Sequence, residues 1–387
     1  MPIGYLWTTA IVGWCTLFAV AARRPKRPQR SSLSYWFAFL INELPFIAAY
    51  WLLASTLLAA GQGDLSSPVG WVAFAIAVIT MLGLALVAWR GTRARSAVQA
   101  ALDEGLGADW RTAVDPGSAA RLDKRLRLAP ILFAPFSVRR RDVERVANVS
   151  YGDAGKWNLL DVYRRRSHPT GCPTFVYLHG GTFRRGRKNN EARLLLYRLA
   201  SRGWLCVSAN YRLSPAARFP DHLVDVKKVI AWVREHGREY GADPSVLLVA
   251  GSSAGGNLAS TAALTPNEAR FQPGFEVADT SVTAAVSLYG YYGHYHQGTD
   301  NGNGSSPLGY VQADAPPFFV AHGDRDTLVP FESARAFVET LQTTSSSPVV
   351  YAELPGAQHT FDLFRSIRFE RVVEGIEAFA AWARARA

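Results

Sequence analysis

Long apolar runs separated by polar turns occupy the first ninety residues of the chain. Ile3–Ala22 and Val69–Trp89 contain no charged residue, and each could cross a hydrocarbon core of about 30 Å at about 1.5 Å per residue. Leu33–Ala60 is a third candidate, although polar residues and a proline at positions 42–45 interrupt it. One such run could be a buried core helix, but three together predict a transmembrane segment over residues 1–90.

The basic residues around these runs predict the orientation of the chain. They follow the first and third runs, whereas the loop at 62–68 has none. Because basic loops stay on the cytoplasmic side, three spans place the N-terminus outside and the rest of the chain in the cytoplasm. The domain changes sides if one span is false, or if the first run is a cleaved signal peptide, which its uncharged start disfavours. The basic residues are Arg23, Arg24, Lys26, Arg27, Arg30, Arg90, Arg93 and Arg95.

Glu43 is the one acidic residue expected at membrane depth. An ionisable side chain in that position suggests a functional role. The interpretation we favour is simpler: Glu43 lies at an interface beside Pro45 or pairs with a neighbouring helix.

A linker or cap of short helices is predicted for residues 91–145. Helical patterns cover Ala97–Leu106 and Gly117–Leu128, with Asp115-Pro116 between them. These helices could lie over a functional site or on the bilayer.

From residue 146 to residue 387, short apolar strands alternate with amphipathic helices. The alternation predicts an α/β fold, a mostly parallel, doubly wound sheet covered by helices on both faces. In such sheets ligands bind outside the carboxyl ends of the strands. Trp157–Tyr163 alternates as an edge strand would. The other predicted strands are Thr174–Leu178, Trp204–Ala209, Ser245–Ala250, Val282–Leu288, Phe318–Ala321 and Val349–Glu353.

The net charge of +11 does not indicate nucleic-acid binding. The sequence has no basic stripe interleaved with aromatic residues and no nucleic-acid motif. Eight of the 42 basic residues flank the apolar runs, so an anionic lipid bilayer is the expected partner of that charge. Cys15, Cys172 and Cys206 are too few and too scattered for a disulfide framework or a metal site. No cofactor and no metal are expected.

The pentapeptide Gly251-Ser252-Ser253-Ala254-Gly255 carries the first candidate chemistry. It follows a predicted strand and precedes the helical stretch Asn257–Leu264. In this context the sharp turn exposes the serine oxygen at the top of the sheet, and Gly251 and Gly255 avoid clashes. Ser253 is therefore the candidate nucleophile. The alternatives are a simple turn of small residues, or Ser252, which lacks symmetric glycine flanks.

His179-Gly180-Gly181-Thr182 ends another predicted strand. Glycines at this point let backbone N–H groups approach a substrate carbonyl and stabilise its developing oxyanion. We expect Gly180 and Gly181 to donate, together with the N–H of Ala254. His179 is expected to orient this loop and to transfer no proton.

A serine nucleophile needs a base and an orienting carboxylate, which in this fold class follow in the order Ser, Asp, His. Phe318–Ala321 leads into a loop with Asp324 and Asp326, and Val349–Glu353 leads into a loop with His359. We predict Asp326, in preference to Asp324, as the carboxylate and His359 as the base. His294 and His296 lie in a Gly/Tyr/Asn-rich loop and are interpreted as pocket or surface residues.

Taken together, these residues resemble the α/β-hydrolase carboxylesterases, particularly the hormone-sensitive-lipase-like group with its feruloyl-esterase-like and acetylhydrolase relatives. The resemblance implies a Ser253–His359–Asp326 triad that hydrolyses carboxylic esters through an acyl-enzyme. It spans about residues 146–387, and the N-terminal segment is similar to membrane anchors by hydropathy. The matching stretches are HGGT (179–182), NYRLSP (210–215), FP (219–220), ADPSVLLVAGSSAGGNL (242–258), HGDRDTLVP (322–330) and PGAQHTFD (355–362).

Two positions depart from the family pattern. Thr182 replaces a third glycine, which narrows that side of the pocket, and Ser252 stands where an aspartate or histidine is common. Neither change removes a catalytic group.

The substrate is expected to be a small-molecule or lipid ester, because a membrane anchor concentrates lipid-like esters at the enzyme. Gly290–Pro317 is the candidate substrate-gating loop. Other functions remain open: an acyltransferase or peptidase using the same triad, or a catalytically inactive membrane scaffold. The oligomeric state is left open. Residues that could line the acyl side, or simply pack in the core, are Tyr289, Tyr291, Tyr292, Tyr295, Leu308 and Tyr310.

Overall fold

The computed structural model describes residues 3–21, 28–114, 116, 126–296 and 304–387. The basic residues at 23–27 and most of the predicted helix Gly117–Leu128 lie outside the described residues. The described helices are α1 (Ile3–Ala21), α2 (Pro28–Glu43), α3 (Pro45–Gly61), α4 (Pro68–Thr92), α5 (Ala94–Leu106), α6 (Leu128–Phe133), α7 (Arg193–Ser201), α8 (Asp221–His236), α9 (Ala254–Leu264), α10 (Phe331–Thr344) and α11 (Ile367–Arg384). The strands are β1 (Val143–Ser150), β2 (Leu159–Arg165), β3 (Cys172–Leu178), β4 (Leu205–Ala209), β5 (Ala242–Ser252), β6 (Ala284–Leu288), β7 (Phe318–Gly323) and β8 (Val349–Leu354).

These strands form one eight-stranded sheet in the order β1-β2-β4-β3-β5-β6-β7-β8. The pairings from β4 to β8 are parallel, and β1 and β2 pair antiparallel at one side. Every residue of β3 is buried, as expected for a strand covered by helices on both faces. The predicted α/β-hydrolase fold with a mostly parallel sheet is therefore confirmed.

The edge of the sheet differs from the prediction. Trp157–Tyr163 was expected at the edge, but β2 lies between β1 and β4, and β1 forms the edge. Strand β1 has the sequence VERVANVS and only one fully buried residue, Val143. Because an edge strand buries few side chains, the apolar alternation of β1 is weak and did not predict a strand there.

Helix α5, in the predicted linker, packs into the core of the hydrolase. Val98, Ala101 and Leu102 are buried in the same cluster as side chains of β8 and α11. A Cβ at Gly105 would lie 2.6 Å from the carbonyl oxygen of Val349, so only glycine allows this close approach. The helix thus supports the sheet instead of covering its top.

Helices α1 and α4 run parallel in close contact. A Cβ added to Gly13 would meet Thr80, and one added to Gly83 would meet Thr16. Small residues of this kind let membrane helices approach closely. Both α1 and α4 are long and apolar enough to cross a bilayer.

The second predicted span, Leu33–Ala60, is bent in the structure. Helices α2 and α3 meet at an angle of 85°, with Leu44 between them. Tyr5, near the start of α1, contacts Thr56, near the end of α3, so α3 runs antiparallel to α1. Helix α2 packs against the other N-terminal helices through Ala38 and Ile41 and also reaches the sheet domain through Glu43, whereas α3 continues along the bundle.

Glu43, at the end of α2, reaches the catalytic domain. It is 4% exposed, pairs with Arg368 of α11, and accepts a hydrogen bond of 2.6 Å from Ser366 Oγ. Pairing with a neighbouring helix was expected, but that helix, α11, packs on the sheet and is not one of the apolar N-terminal helices. A buried charge of this kind is tolerated because it is paired and hydrogen-bonded.

Candidate active site

The turn after β5 holds Ser253 in a strained backbone conformation, with φ 53° and ψ −116°. A Cβ on Gly251 would lie 2.2 Å from the carbonyl oxygen of Gly255, and one on Gly255 would lie 2.2 Å from that of Leu178. The two glycines are therefore required by backbone packing on either side of the serine. Strain of this type in a non-glycine residue is typical of functional sites.

Three side chains from three strand ends form a hydrogen-bonded chain. His359 Nε2 lies 3.0 Å from Ser253 Oγ, and His359 Nδ1 lies 2.6 Å from Asp326 Oδ2. The sequence-predicted nucleophile, base and carboxylate are thus brought together, with Ser253 and His359 at 7% and 5% exposure. This arrangement can activate a serine hydroxyl, because the histidine can take its proton while the carboxylate orients the ring.

Asp326 is held as an anion by several donors. Its Oδ1 accepts from the amides of Leu328 and Val329 at 2.8 and 2.9 Å, and His322 Nε2 lies 3.2 Å from Oδ2. Burial opposes ionisation, but the two histidines more than offset it, so the pKa of Asp326 falls below its usual range. Asp324, the less favoured candidate, accepts a hydrogen bond from the amide of Gly356 at 2.7 Å.

The glycine loop after β3 departs from the prediction in one donor. The amide of Gly180 donates to Glu191 Oε2 at 2.6 Å, so it is not free for a substrate oxyanion. Among the hydrogen bonds of the described residues, none has the amide of Gly181, Thr182 or Ala254 as its donor. Donation by Gly181 and Ala254 is compatible with this geometry, and donation by Gly180 is not.

His179 supports the glycine loop from beneath. Its Nδ1 lies 2.7 Å from the carbonyl oxygen of Gly180, and its ring stacks on Tyr211 at 4.4 Å. Burial lowers the pKa of His179 to about 4, so the ring is neutral at physiological pH. These contacts fit an orienting residue.

Ser252, which departs from the family pattern, has a structural partner below the nucleophile. Its hydroxyl donates to Asp362 Oδ2 at 2.7 Å and lies 2.6 Å from Tyr177 Oη. Tyr177 and Tyr289 also donate to Asp362. The ring of Tyr289 then packs edge-on to His359 at 4.5 Å, so this buried cluster reaches the predicted base.

The remaining candidates for the acyl side differ in their burial and partners. Tyr292 is fully buried, with its hydroxyl 2.7 Å from Ser287 Oγ, and Tyr310 donates to the carbonyl oxygen of Gly304. Tyr295 stacks on Phe183, which follows the glycine loop. Tyr291 and Leu308 are partly exposed. His294 and His296 do not join the triad, and residues 297–303 of the predicted gating loop lie outside the described residues.

Sequence reasoning missed two carboxyl groups close to the triad, the partly buried Glu191 and the buried Asp362. Burial, followed by the neighbouring Asp362, raises the pKa of Glu191 to about 8, and burial also raises the pKa of Asp362. Asp362 ends the stretch PGAQHTFD, so the sequence contained the motif but indicated no role for Asp362. No cluster of His, Cys, Asp or Glu in the described part of the chain could hold a metal ion.

The raised pKa of Glu191 predicts a pH-dependent stability. Glu191 binds more protons in the folded than in the unfolded state between about pH 4.5 and about pH 8, so stability is lost as pH rises through this window. Glu191→Gln stays neutral and keeps an acceptor for Gly180. We expect the difference in melting temperature between Glu191→Gln and wild type to shift by several degrees in favour of the variant from about pH 5 to about pH 9. Thermal unfolding in detergent checks this, with the half-exposed Glu268→Gln as control; parallel curves for wild type and Glu191→Gln would contradict it.

The chain is similar to known esterases. The BD-FAE family model matches residues 160–293 and 291–341. The probable carboxylic ester hydrolase LipM of Mycobacterium tuberculosis is 39% identical over 98% of this chain and 93% of its own. Esterase LipQ of the same organism is 38% identical over 75% of each chain.

A solved structure matches the fold. The thermophilic esterase Est2 of Thermogutta terrifontis, in its butyrate-bound form, superposes with a TM-score of 0.53 at 23% identity. The match covers 62% of this chain and 93% of that one. At this identity the likeness carries the fold alone.

Proposed function

This chain belongs to the family of carboxylic ester hydrolases that includes LipM, and we propose that it cleaves its ester through an acyl-enzyme formed on Ser253. The observation that carries the proposal is the hydrogen-bonded chain from Ser253 Oγ through His359 to Asp326. The three hydrogen-bonded side chains follow the carboxyl ends of β5, β7 and β8.

Ser253, His359 and Asp326 have distinct roles in the proposed reaction. Ser253 Oγ attacks the ester carbonyl while His359 Nε2 takes its proton, and the same proton then goes to the leaving alcohol. Water then attacks the acyl carbonyl while His359 takes its proton, and that proton returns to Ser253 Oγ as the acyl–oxygen bond breaks and the carboxylic acid leaves. Asp326 holds the Nδ1–H tautomer and stabilises the imidazolium.

The developing oxyanion is assigned to the amides of Gly181 and Ala254. Ala254 begins helix α9, whose N-terminus favours negative charge. Glu191 accepts the hydrogen bond of the Gly180 amide, and this bond fixes the loop. The amide of the next residue, Gly181, is then left for the oxyanion. Removing one such donor typically costs about a hundredfold to a thousandfold in kcat.

The membrane helices are proposed to cross the bilayer three times. Arg90 at the end of α4 donates to the carbonyl oxygen of Val20 near the end of α1, so the two parallel helices end on the same side. Because α1 and α4 run in the same direction, the chain must cross back between them. Helix α3 is assigned to this return crossing and is about 25 Å long at about 1.5 Å per residue. Exposed apolar side chains on α4, such as Ile79 and Leu82 at 70% and 68%, suit contact with lipid.

This arrangement supports a cytoplasmic catalytic domain. The hydrolase contacts the membrane bundle where α1 and α4 end, and Arg90, Arg93 and Arg95 lie at that same end of α4. Basic residues at a helix end favour the cytoplasmic side and anionic lipid headgroups. The N-terminus would lie on the opposite side.

The substrate is proposed to be a lipid-like ester. Two exposed aromatic side chains lie beside residues close to His359, and we interpret them as an apolar rim: Trp36 is 56% exposed beside Tyr35, and Phe136 is 64% exposed against Phe364. Such an apolar rim is uncommon on a soluble monomer and marks a surface for lipid or ligand. An acyl chain emerging from the bilayer would meet this rim first.

A series of p-nitrophenyl esters in detergent micelles tests the reaction and the acyl preference together. A buried methylene contributes about 0.8 kcal/mol, so kcat/KM should be at least about tenfold higher for the octanoyl than for the acetyl ester. Ser253→Ala supplies the background rate. A preference for acetate would contradict the lipid-like substrate, and preferential acyl transfer to an added amine or alcohol would favour a transferase.

A further inference from the structure

The membrane helices contact the two loops that carry the base and its carboxylate. Tyr35 of α2 reaches Thr360, next to His359, through a hydrogen bond of 2.8 Å. Arg325, next to Asp326, donates to the carbonyl oxygen of Val20 in α1 at 3.1 Å. Glu43 of α2 pairs with Arg368 at the start of α11. A simple tether would need none of these contacts beside the triad.

Thr360 holds the loop after His359 in an unfavourable conformation. Its φ is 60°, in the left-handed region that β-branched residues rarely adopt. Its hydroxyl donates to the carbonyl oxygen of His359 at 2.7 Å. The single hydroxyl proton is used in that bond, so Thr360 Oγ1 must accept the proton of Tyr35. A continuous chain of hydrogen bonds thus links α2 to the backbone of the catalytic histidine.

The ring of Tyr35 also contacts the catalytic histidine. It packs edge-on at 6.3 Å between ring centres, while Tyr289 packs edge-on at 4.5 Å. Tyr35 is 8% exposed, so α2 closes this part of the site. The imidazole is held by one tyrosine of the hydrolase and one tyrosine of the membrane segment.

We propose that α2 forms part of the active site and that Tyr35 is a positioning residue for His359. The inference rests on the proposed role of His359 as the base. Its consequence is that the catalytic rate depends on the seating of the membrane segment on the hydrolase, and not only on the hydrolase fold.

The test compares Tyr35→Ala and Tyr35→Phe in the full-length protein in detergent micelles. Loss of the ring should lower kcat by about tenfold to a hundredfold with little change in KM, because small misplacements of a catalytic group carry costs of this size. Tyr35→Phe keeps the ring and loses only the bond to Thr360, so its kcat should recover part of that loss. The rate of fluorophosphonate labelling should fall in step with kcat.

Tyr5 provides the matched control. It makes the same kind of bond, 3.0 Å to Thr56, inside the membrane bundle and away from the triad, and it is 6% exposed. Tyr5→Ala and Tyr5→Phe should keep kcat within about twofold. The extent of labelling at completion measures the fraction of folded sites, so a reduced extent identifies misfolding. A slower labelling rate at full extent identifies a mispositioned His359.

Three results would overturn the inference. The first is a wild-type kcat in Tyr35→Ala, and the second is an equal loss of kcat in the Tyr5 variants. The third applies if Tyr35→Ala does not fold, and it is a wild-type kcat in Tyr35→Phe. In each case wild-type labelling at Ser253 would still support the proposed reaction. An unlabelled wild-type protein would instead refute the proposed function itself.

Discussion

Replacing Ser253 with alanine is expected to lower kcat by about a millionfold, because the attacking oxygen is removed and the other triad members then have nothing to activate. Folding should be little affected, since Ser253 Oγ has His359 as its described side-chain partner and alanine keeps the Cβ. Hydrolysis of a p-nitrophenyl ester, compared with the rate without enzyme, measures the loss.

Ser252→Ala is the matched control for this result. The two serines are adjacent, but the hydroxyl of Ser252 faces Asp362 and Tyr177 below the turn. Losing these bonds should change kcat by less than about tenfold, since they lie below the turn and a hydrogen bond contributes on the order of 1 kcal/mol. Equal losses in both variants, or a larger loss in Ser252→Ala, would reject Ser253 as the nucleophile.

Replacing Asp326 with asparagine is expected to lower kcat by about ten thousandfold. The amide is nearly the same shape, but its NH2 group can face His359 Nδ1 and stabilise the wrong tautomer. The negative charge that would stabilise the imidazolium is also lost. The decrease should appear in kcat, with KM changed by a few-fold at most.

Asp324→Asn separates this effect from a general disturbance of the loop. Asp324 lies two residues away and accepts a hydrogen bond from the amide of Gly356, which an asparagine oxygen can also accept. We expect kcat within about threefold of wild type. A ten-thousandfold loss in Asp324→Asn with a small loss in Asp326→Asn would exchange the two assignments.

The positions of the three triad candidates could be predicted because chain order and strand ends constrain them strongly. Parallel strands bring their carboxyl ends to one edge of the sheet, so three separate loops converge whatever lies between them. The sequence also shows why Gly251 and Gly255 flank the serine, since the turn leaves no space for a side chain. Local pattern was sufficient for these features.

Features that depend on distant partners could not be predicted in the same way. The amide of Gly180 was assigned to the oxyanion, yet Glu191 in a loop without a motif accepts its hydrogen bond. Glu43 could be predicted to pair with a helix, but Arg368 lies 325 positions further along the chain. Apolar length likewise indicated a span at 33–60 without revealing the bend at Leu44 or the contact of α2 with His359.

The most direct test of the account is identification of the residue that a fluorophosphonate modifies in the full-length protein. Peptide mass spectrometry after labelling in detergent micelles should find one adduct, on Ser253. Labelling should be absent in Ser253→Ala and unchanged in extent in Ser252→Ala. An adduct on another residue, or ester hydrolysis that persists at the wild-type rate while Ser253 stays unmodified, would contradict the proposed acyl-enzyme mechanism.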